Sequence, residues 1–341
     1  MIECLKKIFY LLLTSSCFLF GFNCYSQDIH FSQYFSSPLF LNPALTGQFN
    51  GNFRFACNYK SQWVAVANNS FKTFANSIDA SIYKDKLFMG LSFFNDKAGD
   101  SKMGLTEVNL SIATRVPLNK NNSLTAAIQN GGAQRSIDFS NLTWDNQYDG
   151  NTFNKSLPSG EKHNISNFNY FDLSAGLCLI SKINDNVNFN SGIAGFHLNN
   201  PKQCFIYSDN KLHSKLTIHS YMEFKQKKSN TTLIPSIIIL KQGTAYETDL
   251  GFMIKYKLGM DSKYTGVNVS SNLTLGGFYR INDAAILYAR LIYKNNYSIG
   301  LSYDINVSPL NTVSNAKGGG EISIIYIFEK KNNSVKTISC L

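Results

Sequence analysis

Alternation with period two constrains this chain more than any other feature of its sequence. From Tyr297 to Ser308, Tyr297, Ile299, Leu301, Tyr303, Ile305 and Val307 fall on one face, with Ser298, Gly300, Ser302, Asp304, Asn306 and Ser308 on the other. Successive side chains of a strand point to opposite sides, so this is a ribbon with one greasy and one polar face. The same pattern sets Leu250, Phe252, Ile254, Tyr256 and Leu258 against Asp249, Gly251, Lys255 and Lys257. It recurs with Val108, Leu110, Ile112 and Val116 against Glu107, Asn109, Ser111 and Arg115. A fourth case sets Phe171, Leu173, Ala175, Leu177 and Leu179 against Tyr170, Asp172, Ser174 and Gly176. Such runs extend over roughly 9 to 12 residues, the length a tilted strand needs to cross a bilayer, where strands of soluble sheets average about 5 or 6.

Repeated along the chain, the pattern predicts about fourteen strands, with twelve to sixteen allowed, an even number as a closed bacterial barrel requires. The expected fold is all-β, an up-and-down antiparallel transmembrane β-barrel. Short polar turns at Lys84-Asp85-Lys86, Asn184-Asp185-Asn186, Lys228-Ser229-Asn230 and Lys294-Asn295-Asn296 all fall at one end. Longer connections, near 135–169, 199–213 and 309–319, fall at the other, with the short Ile281-Asn282-Asp283 connection as the exception. Short turns in the periplasm and long loops outside are the asymmetry of outer-membrane barrels.

The amino terminus fixes the compartment. Lys6 and Lys7 precede an apolar run from Ile8 to Phe22 and a small, polar exit at Cys24-Tyr25-Ser26. This is the layout of a secretory signal peptide, with cleavage expected after Ser26. Cys17 and Cys24 lack the preceding residues of a lipid-attachment site. The expected organisation is 1–26 signal peptide, 27–50 periplasmic lead-in or plug segment, 51–328 outer-membrane barrel and 329–341 tail. Low charge supports a wall that faces lipid: 16% of residues are charged and 13% aromatic, against about 25% charged in a soluble domain. The formal charge of +10 comes from scattered lysines, so nucleic acid is not an expected partner. Cys57, Cys178, Cys204 and Cys340 are widely spaced; a Cys57–Cys178 disulfide is permitted by the compartment, but single thiols are expected.

Chemistry has little to stand on. The five histidines show no metal-ligand spacing, and no nucleophile elbow, phosphate loop or calcium loop is present. An enzyme and a cofactor are therefore not expected. Asp138, Asp145, Asp149, Glu161 and His163 lie in the long external segment beside Trp144 and Tyr148. Solvation is the ordinary role of such carboxylates, although this loop is the best place for calcium or a partner. Asp304 and Asn306 fall on the lumen face, where a polar network with Asp249, Lys255 and Arg115 would fill the barrel.

Several stretches resemble the PorP/SprF family of type IX secretion membrane proteins. They begin with Gln27-Asp28-Ile29-His30-Phe31-Ser32-Gln33-Tyr34 and Asn42-Pro43-Ala44-Leu45-Thr46-Gly47. Tyr59-Lys60-Ser61-Gln62-Trp63 and Asn95-Asp96-Lys97-Ala98-Gly99 follow. His197-Leu198-Asn199-Asn200-Pro201, Gly300-Leu301-Ser302-Tyr303-Asp304-Ile305-Asn306-Val307-Ser308 and Gly318-Gly319-Gly320-Glu321 complete the series. The resemblance runs in family order over nearly the whole mature chain. It implies an outer-membrane barrel of Bacteroidota secretion and gliding machinery, set in outer-membrane lipid. The implied partners are the sorting domain of a secreted cargo or adhesin and other type IX components. The alternative on the residues alone is an outer-membrane diffusion channel or hydrophobic-solute transporter. No individual role attaches to Gln27, Asp28, Asn42, Pro43, Ala44, Gly47, Gln62, Trp63, Asp96, Asn199, Pro201, Tyr303, Asp304 or Asn306 from sequence.

Overall fold

The computed structural model describes residues 28–64, 71–160, 166–203, 205, 210–227, 229–258, 271–309 and 311–328. The expected signal peptide, Gln27, Glu161, His163 and the 329–341 tail lie outside these residues.

Fourteen antiparallel strands close into one barrel in simple sequence order, with β1 pairing β14. They are β1 (Phe53–Gln62), β2 (Phe71–Tyr83), β3 (Leu87–Ala98), β4 (Met103–Pro117), β5 (Asn122–Ser136), β6 (Asn167–Asn184) and β7 (Val187–Phe196). The second half is β8 (Lys215–Lys225), β9 (Thr231–Gln242), β10 (Ala245–Leu258), β11 (Ser271–Arg280), β12 (Ala284–Tyr293), β13 (Tyr297–Asn306) and β14 (Lys317–Phe328). Closure leaves no sheet edge, so each strand finds backbone partners on both sides, the condition for spanning lipid with strands.

The two faces are inverted relative to a soluble protein. Leu91, Ile128, Leu177, Leu287 and Ile299 stand exposed on the outer wall, while Asn58, Asp79, Ser111, His219 and Arg280 are buried inside. Rings gather near both ends of the apolar band. Tyr83, Tyr256, Tyr293, Tyr297 and Phe328 are exposed toward the turn end, and Tyr59, Phe171, Tyr246, Tyr279 and Tyr303 toward the loop end. Two such girdles mark the water–lipid boundaries of a transmembrane barrel.

Turn chemistry sets the register. Lys84 and Asp85 have φ of 43° and 51°, and Lys294 and Asn295 have 53° and 58°. Positive φ at both central residues gives the turn whose twist matches a hairpin. Each turn closes with a backbone bond, Lys86 N–H to Tyr83 O and Asn296 N–H to Tyr293 O. At the other end, β4 and β5 run to 15 residues and β6 to 18, so this sector rises past the girdle. Cys57 sits on the outer face and Cys178 on the lumen face, and no disulfide joins them.

Candidate functional site

The lumen is filled by the residues that precede β1. Residues 28–49 run down the inside of the barrel, and Ser32, Gln33, Leu39, Asn42, Ala44, Thr46 and Gln48 are almost completely buried there. The segment folds into short pieces: a 3-10 turn at Tyr34–Ser36, one helical turn α1 (Pro38–Leu41) and a second 3-10 turn at Pro43–Leu45. Prolines start the latter two, where their missing N–H costs nothing. The Asn42 side chain accepts from Ala44 N–H at 2.8 Å, capping the last turn.

Its direction follows from its contacts. Asp28 meets His197 just beyond β7, and Tyr34 meets Glu247 and Asp249 near the start of β10 at the loop end. Asn42 reaches Leu177 O and the ring of His219 at mid-height. Gly47 and Gln48 meet Asp79 and Arg115 at the turn end. The segment from Asp28 therefore runs from the loop end to the turn end of the lumen before the chain enters β1.

Three polar sockets hold it. At the loop end, Arg280 lies among Glu247 (3.2 Å), Asp249 (3.4 Å) and Asp304 (3.4 Å). Ser32 donates through its hydroxyl to Asp304 at 2.6 Å and through its N–H to Glu321 at 2.8 Å. The Tyr34 hydroxyl is within reach of both Glu247 and Asp249. Lys60 donates to His30 O at 2.9 Å and to Ser32 Oγ at 3.3 Å. Burial, reinforced by Arg280, Lys60 and Lys215, holds the His30 ring well below the ordinary imidazole range. It is thus neutral, and although it lies 3.2 Å from Glu247 it lacks hydrogen-bond geometry to that carboxylate.

The second socket holds the first described residue. Asp28 accepts from His197 Nε2 at 2.6 Å, and the other ring nitrogen meets Asp172 at 2.8 Å. Lys215 stands 3.3 Å from Asp28, and the Asp28 N–H donates to Gln242 at 2.7 Å. Burial alone would depress the imidazole, but the two carboxylates override it and raise His197 to about 9. Burial likewise opposes ionisation of Asp28, yet Lys215, His197 and Gln242 win and hold its carboxyl well below the usual range.

The third socket is at the turn end. Arg54 grips Asp79 through two bonds of 2.9 and 2.8 Å and donates to Leu45 O at 3.1 Å. Asp79 also accepts from Gly47 N–H at 2.7 Å. Arg115 donates to Gly47 O and Gln48 Oε1 and lies over the Phe88 ring. Apolar contacts fill the rest: Leu41, Ala44 and Leu45 pack with Phe88, Ala113 and Ile180, and Phe31 packs on Phe94.

The singled-out residues divide into two groups. Asp28, Asn42, Pro43, Ala44, Gly47 and Asp304 belong to the lumen segment and its sockets. Of the network expected around Asp304, Asp249 is joined to it through Arg280, whereas Lys255 and Arg115 lie elsewhere in the lumen. Asn306 donates to Ser314 Oγ at 3.1 Å in the connection before β14. Trp63, with φ of 60°, bonds Gly318 O through its N–H and packs on Phe71, while Gln62 pairs with Phe71 and Gly319. Asp96 accepts from Thr73 at 2.8 Å. Asn199 bonds Phe171 O and Leu173 N–H, completing the β6 ladder where β7 has ended, and Pro201 O accepts from Leu212 N–H. Tyr303 stands in the loop-end girdle. Arg280, Glu247, Arg54 and Asp79 were not singled out from sequence; their only signal is charge on a lumen-facing position of an alternating strand. In the loop between β5 and β6, Asp138 and Asp149 turn their carboxylates onto Ser140, Asn151 and Thr152 of the same loop.

A family model described as type IX secretion system membrane protein PorP/SprF matches residues 23–326. This chain belongs to that family. No curated protein matches it in sequence. Among solved structures, the PorP/SprF barrel is similar to a TodX ΔS2S3 mutant monoaromatic hydrocarbon channel, with 9% identity, 84% of this chain and 92% of that one covered, and a TM-score of 0.49. It is similar also to the CymD monoaromatic hydrocarbon channel, with 9% identity, coverage of 87% and 94%, and a TM-score of 0.48. A Pseudomonas aeruginosa FadL homologue gives 10% identity, coverage of 84% and 93%, and a TM-score of 0.44.

Proposed function

We propose that this PorP/SprF protein is a closed, non-enzymatic docking component of type IX secretion in the outer membrane. On this reading it arrives there after signal-peptide removal, with its turn end in the periplasm and its long loops at the cell surface. It receives or anchors a secreted cargo through the cargo's sorting domain and contacts other secretion components. The observation that carries the reading is the filled lumen: residues 28–49 occupy the space a solute would need and are bonded to strands around the barrel. Work done by such a barrel falls to its loops, its rims and its wall. A rigid, lipid-anchored frame suits docking, because positions held by a closed sheet lose little further freedom when a partner binds.

A deletion strain tests this. Loss of one exported surface protein, with general secretion intact and restored by the wild-type gene, is the expected result. Normal surface display of every exported protein in the deletion strain overturns the docking role. The channel alternative predicts instead a defect in solute uptake with secretion unchanged.

A further inference from the structure

Below the lumen segment, toward the turn end, three neighbouring strands present Lys255, Thr274 and Arg290 in one row. Lys255 pairs with Thr274 across β10 and β11, and Thr274 pairs with Arg290 across β11 and β12. Two strand spacings separate the cations, so their Cα atoms lie about 10 Å apart, within reach of two long side chains converging over Thr274. Their charge is not balanced locally. Arg290 is 6% exposed. Its Nε–H donates to Ser298 Oγ at 2.6 Å, and no carboxylate among the described residues lies within ion-pair distance of it. Lys255 has one acidic neighbour, Glu223 at 3.8 Å, which also accepts from Asn188 at 3.1 Å. A buried guanidinium without a counter-charge is costly unless something completes it.

The space for that completion exists. A cavity bounded by Lys255, Thr274, Arg290, Tyr288, Met253 and Phe35 has room for about one water-sized occupant. The Lys255 side chain keeps 24% exposure, so solvent reaches the row. Elsewhere in the lumen, Arg54 and Arg280 are each matched by carboxylates. Arg290 has no such match among the described residues, and the cavity beside it adjoins a second cation, Lys255.

We propose that Lys255, Thr274 and Arg290 form a small-anion site beneath Phe35, taking a halide or a single oxygen of a carboxylate or phosphate group. The ammonium and guanidinium supply charge-assisted donors, and Thr274, between them in register, adds a hydroxyl to the cavity lining. The site stands apart from the docking reading and does not depend on it. Because Phe35 belongs to the lumen segment and bounds the cavity, an occupant touches that segment directly.

Bromide is the probe. In crystals of the full mature barrel grown or soaked in sodium bromide, an anomalous peak between Lys255 Nζ and the Arg290 guanidinium is expected. In detergent, the heat-induced mobility shift of the folded barrel should move to higher temperature as bromide replaces gluconate at constant ionic strength, and the effect should saturate. Arg290→Gln should abolish the saturable part. Lys255→Met, which keeps the guanidinium, should weaken half-saturation about tenfold, the loss of about 1.4 kcal/mol of binding, and serves if the first variant does not fold. Phosphate and acetate in place of bromide separate a halide site from one that takes an oxyanion. No peak, a peak without a saturable shift in solution, or the same shift in both variants overturns the proposal.

Discussion

Asp28 and His197 stand 169 positions apart in the chain, yet the His197 ring and the Asp28 carboxylate are 2.6 Å from each other. That pairing anchors the start of the lumen segment at the end of the barrel opposite to its exit into β1. With Asp172 on the far side of the ring, it makes a cation held between two anions, the arrangement that favours a charged imidazole.

The latch has a predictable pH dependence. His197 is raised from 6.5 to about 9, so its contribution is complete below about pH 6.5 and is lost as pH rises through 9. Asp28 is depressed, so its contribution is present above the ordinary carboxylate range and is lost only in acid. Hydrogen exchange at residues 28–34 should therefore be slow from about pH 4.5 to 7, after correction for intrinsic rates, and should quicken between about pH 8 and 10. His197→Gln should raise exchange at neutral pH and remove the alkaline step. Unchanged exchange across that interval in the wild type would refute the latch.

The turn-end socket predicts an asymmetry between single and paired changes. Asp79→Ala leaves Arg54 buried without its partner and Gly47 N–H without its acceptor, which should cost about 3–5 kcal/mol. Replacing both charges, with Arg54→Met and Asp79→Leu, should cost clearly less, because no unpaired ion remains. Urea unfolding in detergent measures both, and equal losses would show that the pair itself is not what stabilises this end.

Two glycines with similar backbones should respond differently. Gly47 has φ of +75° and a Cβ there would run into the Phe88 ring, whereas Gly99 has φ of +68° with open space around it. Gly99→Ala should cost only the left-handed strain, about 1–2 kcal/mol. Gly47→Ala adds a collision inside a packed lumen and should exceed it by more than about 1 kcal/mol. Matching losses in the same unfolding assay would mean that the lumen segment yields at this point.

The strands were legible because lipid outside and polar filling inside impose one rule on every ribbon. Leu250, Phe252 and Ile254 face outward and Asp249 and Met253 inward, as period two requires, and the polar Lys84 and Lys294 turns close the hairpins. Residues 28–49 obey no such rule. They are surrounded on all sides by barrel wall, so Phe31, Ser32, Gln33 and Tyr34 are buried alike, and burial on every side erases periodicity. The sockets were hidden for a different reason. Ser32 with Asp304 and Tyr34 with Glu247 are contacts across more than 200 positions, fixed by barrel closure and by no local spacing. Arg280 showed only as a charge on an inward position, a signal shared by many residues that merely line the lumen.

Residues 28–49 fill the lumen and are expected to shut it to solutes. Planar-bilayer conductance of the purified barrel decides this, with a variant lacking residues 28–49 as the comparison. No stepwise conductance from the intact protein, and discrete steps from the shortened one, are the predicted results. Stable conductance steps from the intact barrel would show that residues 28–49 leave a passage open.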